Sequence, residues 1–125
     1  MLKITQAQMD VFENIQLDRL RNDLIIHLDK YFIEEIQHIE REQLSQFVMD
    51  VIIEARSYGV EIEKQICMFL NIKVLLKIYE PFNQSPYEEI VDILNNEELG
   101  SPTARLDQLS EIVDSYLEQI AENNL

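Results

Sequence analysis

Glycine and proline are nearly missing from this chain, with two glycines and three prolines in 125 residues, and tryptophan does not occur. So few breakers favour helices joined by short turns. Basic side chains are scarce as well, ten against 24 acidic ones, for a formal charge of −14. A charge that negative repels phosphate backbones and anionic bilayer surfaces, so neither nucleic acid nor membrane is expected as a partner. The one cysteine, Cys67, allows no intramolecular disulfide and suits a reducing cytoplasm. Within Ile66-Cys67-Met68-Phe69-Leu70 it reads as a small buried apolar residue rather than a nucleophile. Long apolar runs are lacking too: none approaches the roughly 20 residues of a membrane span, and Met1 to Gln6 has no signal-peptide core. A cytoplasmic protein is expected.

Apolar residues make up 46% of the chain and charged residues 27%, a globular composition at a length that fits one domain over residues 1–125. The apolar spacing predicts an all-α fold, a compact bundle of about five helices. The first opens with a capping box at Thr5 and Gln8 and a hydrophobic staple between Ile4 and Met9. Its stripe of Met9, Phe12, Leu17, Leu20, Leu24, Leu28 and Tyr31 is widened by Ile25, Ile26 and Phe32, so its end is expected to be enclosed. Ile33 to Glu40 is a weaker stretch. A second helix follows on Leu44, Phe47, Val48, Val51, Ile52, Ala55 and Tyr58, with Gly59 as terminator and Ser57 as a helix-end residue. Met49 and Ile53 fall off that stripe and imply neighbours on more than one side, or a second copy covering them together with Ile26.

A third helix, from about Glu61 to Tyr79, is the most apolar and is expected at the centre, ended by Pro81. A short fourth helix should begin with Ser85 as cap, Pro86 first inside and Glu88 closing the box, and fail at Asn95-Asn96. Gly100-Ser101-Pro102 starts the fifth, whose apolar line is Leu106, Leu109, Val113, Tyr116, Leu117 and Ile120.

Catalytic patterns are hard to find. His27 and His38 have no metal-type spacing, and His27 among Leu24, Ile25, Ile26 and Leu28 reads as a structural imidazole. Gly59 and Gly100 stand alone, too far apart for a phosphate loop, and no Gly-x-Ser-x-Gly elbow occurs. No enzyme activity, cofactor or metal is expected.

What the chain does have is acid, concentrated at one end. Residues 81–125 hold ten acids and Arg105 alone as base. On the last helix Asp107, Glu111, Asp114, Glu118 and Glu122 share an arc of roughly 80°. Such a row fits neither a calcium loop nor an acid/base pair. It is a solvated face, a weak cation site or a docking surface for a basic protein partner. Lys73 and Lys77, one turn apart on the most apolar helix, either snorkel to water or pair with acids of the last two helices. Arg105, a lone cation in an acidic third, should be held by carboxylates.

Three stretches carry a family likeness: Ile4-Thr5-x-x-Gln8-x-x-x-Phe12, Tyr58-Gly59-Val60, and Phe82-x-x-x-Pro86-Tyr87 leading to Ile93-Leu94-Asn95 and Ala104-Arg105-Leu106-x-x-Leu109. Together the chain resembles small helical proteins encoded beside spike and effector genes of bacterial type VI secretion clusters. It differs from them in having Tyr79 near an expected glycine and no tryptophan after Pro86. The resemblance implies an adaptor or chaperone-like accessory protein for an effector or spike component. The rival expectation is an immunity protein or antitoxin that blocks a cognate toxin through the acidic face. Only the immunity protein would protect cells expressing the toxin.

Overall fold

In the computed structural model, residues 6–84 and 86–123 are described, with side chains from residue 15 onward. All regular structure among them is helical: α1 (Gln6–Tyr31), α2 (Ile33–Ile36), α3 (Arg41–Ser57), α4 (Glu63–Leu76), α5 (Glu88–Leu94), a 3₁₀ turn at Glu97–Leu99, and α6 (Pro102–Asn123). The fold is all-α, with the five expected helices and one further helix, α2, in the stretch whose pattern is weak. The capping box at Thr5 and the staple at Ile4 lie outside the described residues, as does Ser85. The chain is organised as two compact units, Met1–Asp50 and Val51–Leu125.

In the first unit, Leu20, Leu24 and Leu28 recur every four residues on α1 and are buried, as are Ile36, Leu44, Phe47 and Val48. α1 ends at Phe32, whose amide still bonds the Leu28 carbonyl at 2.8 Å while its backbone leaves helical geometry and starts α2. Arg41, opening α3, donates both guanidinium arms to Asp29 at 2.9 and 2.7 Å, the two-pronged geometry that suits this pair. The end of α1 is not enclosed as its apolar width implies. Ile26 and Tyr31 remain 64% and 62% exposed, and His27 lies against the rings of Tyr31 and Phe32 at 5.1 and 5.8 Å.

The second unit is built around α4, the most apolar helix, where Ile66, Phe69, Leu70, Ile72, Lys73 and Val74 are buried. Two helix ends set its geometry. After α3, Gly59 (φ +84°) lets its own amide reach the Arg56 carbonyl and that of Val60 reach Ala55, a Schellman turn sealed by buried Val60. After α4 the same pattern recurs without glycine. Lys77 takes φ +58°, its amide bonds Val74, and that of buried Ile78 bonds Lys73. α4 therefore ends at Leu76, five residues before Pro81, because the closing residue is a lysine in a left-handed conformation.

α5 begins at Glu88, with Tyr87 before it, so Pro86 lies in the preceding turn and not at the first helical position. The start of α6 is as the sequence implies. Ser101 Oγ accepts the Ala104 amide at 3.2 Å and Pro102 is the first helical residue. α6 packs on α4, on α5 and on the 3₁₀ turn.

Candidate functional site

The candidate site is the surface of α6. Its inner face is anchored by Leu106, Leu109 and Val113, all buried. Asp107, Glu111, Asp114, Glu118 and Glu122 are all exposed on the opposite face, so the structure keeps the five acids in one solvent-facing row. Beyond Val113 no described residue of α6 is buried. The apolar line nevertheless continues: Ile112, Tyr116 and Ile120, at i, i+4 and i+8, are 44%, 54% and 40% exposed. The last three turns of α6 thus carry an uncovered apolar edge beside an uncompensated acidic one.

The three basic residues expected to hold this acidic end in place behave differently from expectation. Lys73 is buried, but its partner is Glu54 on α3 rather than an acid of the last two helices. Its ammonium donates to the Glu54 carboxylate and to the Glu80 carbonyl at 2.8 Å, and stands 4.3 Å from the Phe82 ring centroid. Glu54 Oε2 also accepts the Phe82 amide at 2.6 Å. Glu54 lies at the edge of the apolar arc of α3, the one sequence signal that could have marked it. Lys77 is exposed and serves as the backbone cap of α4. Arg105 is held by carbonyls, not carboxylates: Nε donates to Gly100 O at 2.9 Å and Nη1 to Leu94 O at 3.3 Å. Leu94 closes α5, so the guanidinium sits at the negative end of that helix dipole and fixes the entry to α6.

A ladder of rings, Tyr58 to Phe69 at 6.2 Å, Phe69 to Phe82 at 5.3 Å and Phe82 to Tyr87 at 6.3 Å, packs the segment between α4 and α5 around the Lys73 ammonium. Outside it, the Tyr87 hydroxyl donates to Glu80 at 2.5 Å. That hydrogen bond holds the Glu80 carboxyl below its ordinary value and raises the Tyr87 phenol. Burial raises the Cys67 thiol, which keeps it protonated and weakly nucleophilic at neutral pH. Among the described residues no group of three or more His, Cys, Asp or Glu side chains could hold a metal ion, and no helix is long and apolar enough to cross a membrane.

No family model, curated protein or solved structure matches this chain.

Proposed function

We propose that this is a non-enzymatic protein-binding domain that engages a basic, partly apolar protein surface through α6. The observation that carries the reading is the far half of that helix. Asp114, Glu118 and Glu122, the last three of the five-acid row, are exposed beside Ile112, Tyr116 and Ile120, which stay uncovered although Leu106, Leu109 and Val113 already anchor the helix. A face needed only for solubility requires the acids and gains nothing from three large apolar residues in water. A binding edge uses both, the acids to steer and select the partner and the apolar residues to hold it. The likeness to accessory proteins of type VI secretion clusters supports an adaptor or chaperone-like role and makes an effector or spike component the first partner to test.

The test is affinity purification from the native host with the wild-type chain and with Tyr116→Glu/Ile120→Glu, at low and high salt. The wild-type chain should retain a partner that the variant loses and that high salt weakens. Equal recovery with both chains at both salt concentrations would overturn this reading.

A further inference from the structure

Beside α6 runs a furrow shared with α4, about 470 Å³ in volume and open to solvent. Its floor is Ile72 and Val113, 3% and 4% exposed, and its walls are half-buried Met68 and Leu75. On α4, Met68, Ile72 and Leu75 fall at i, i+4 and i+7, the spacing at which one helix offers a seam to another. The α4 lining extends from Lys64 to Leu75, roughly 17 Å at about 1.5 Å per residue, or about three turns. A furrow this open cannot enclose a small ligand, which a binding pocket buries by about 70–90%. The α6 rim is Asp114, a member of the acidic row, with Asp107 two turns before it and Glu118 one turn after.

Resting on the protein-binding reading above, we infer that this furrow is a second apolar part of the docking site, on the other side of the acidic row from the Ile112, Tyr116 and Ile120 edge. Its occupant is a helix of the partner with apolar residues at i, i+4 and i+7 and lysine or arginine along the flank that meets Asp114. The charge of the rim selects the flank, because the α6 side carries acids and no base after Arg105. The walls suit the task, since the flexible thioether of Met68 repacks around side chains of different shape. The arrangement is helix-in-groove recognition, with α4 and α6 as the two rails.

Cys67 lines the same furrow and is the chain's one thiol, so its reaction with an aromatic disulfide reagent reports occupancy. The probe is a synthetic helical peptide of about three to four turns with leucines at i, i+4, i+7 and i+11 and lysines along one flank. Its control is the same peptide with glutamates in place of the lysines. At a free peptide concentration about ten times Kd, the lysine peptide should slow the Cys67 reaction about tenfold. The glutamate peptide should leave it unchanged, and Met68→Lys, checked by circular dichroism, should lose the protection. If the lysine peptide binds by calorimetry yet leaves the Cys67 rate unchanged, the furrow is not the site, while the acidic face of α6 keeps its role. If it binds no better than the glutamate peptide at low salt, both the furrow and the acidic docking face are overturned.

Discussion

Lys73 on α4 and Glu54 on α3 form a buried ion pair, and the same carboxylate accepts the amide of Phe82, so one side chain joins two helices to the segment leading into α5. Glu80 supplies the ammonium with a carbonyl, and the Phe82 ring lies over it. A buried charge with this many partners is costly to leave alone. Glu54→Ala, which strands the lysine, should destabilise the chain by about 3–5 kcal/mol. Lys73→Met with Glu54→Gln, which removes both charges and keeps an acceptor for Phe82, should recover most of the loss. Chemical denaturation of the single and double variants measures both values. Equal losses in the two would show that the pair is not what holds this segment.

The two Schellman turns predict opposite effects of glycine. Lys77 holds φ +58° without the freedom of glycine, so Lys77→Gly should stabilise the chain by about 1 kcal/mol. Gly59→Ala should destabilise it by about 2 kcal/mol, since φ is +84° and the new Cβ would meet Pro102 Cγ at 2.8 Å. Pro102→Ala in the Gly59→Ala background removes that contact and should restore part of the loss. Thermal unfolding of the set gives the comparison.

The contact between Tyr87 and Glu80 makes a small pH-dependent contribution whose sign is fixed. Because the folded Glu80 carboxyl is held below its ordinary 4.5, chiefly by the Tyr87 hydroxyl, its contribution is present above 4.5 and lost as pH falls through the lowered value. Tyr87 is raised above 10.0, chiefly by its hydrogen bond to Glu80, so its contribution is present below 10.0 and lost as pH rises through the raised value. In Tyr87→Phe, an NMR titration of Glu80 should shift back towards 4.5. A Glu80 titration unchanged by the substitution would show that the hydroxyl is not its partner.

Cys67 should react slowly with alkylating reagents at neutral pH, and its rate should rise with a midpoint above the ordinary thiol value of 9.0, because burial disfavours the thiolate. A midpoint at or below 9.0 would indicate a stabilised thiolate and reopen a nucleophilic role.

Much of this fold is legible in the sequence where the signal is local. Ser101-Pro102 starts α6 and Gly59 ends α3 because a hydroxyl cap, a fixed proline φ and a left-handed glycine act within a few residues of themselves. The acidic row needs only helical spacing to be read. What is missed depends on tertiary contact. Lys77 as a left-handed terminator has no local mark, and Tyr87 replaces the expected start at Ser85-Pro86 as part of the aromatic ladder. Lys73 finds an acid 19 residues upstream rather than one on the last two helices. Arg105, expected to seek carboxylates, instead takes the carbonyls that the end of α5 and Gly100 leave open. The uncovered edge at Ile112, Tyr116 and Ile120 is likewise invisible to periodicity, which marks a face as apolar without showing where its cover ends.

The acidic docking face is tested most directly by the salt dependence of partner affinity for the wild-type chain and for Glu111→Gln/Asp114→Asn/Glu118→Gln. Exposed charges act through water and are screened within about 3 Å at about 1 M salt. The wild type should bind roughly tenfold more tightly than the neutralised variant at low salt, and the two should converge as salt rises. Equal affinities at every salt concentration would contradict this and leave the acidic row of α6 as a solvated face.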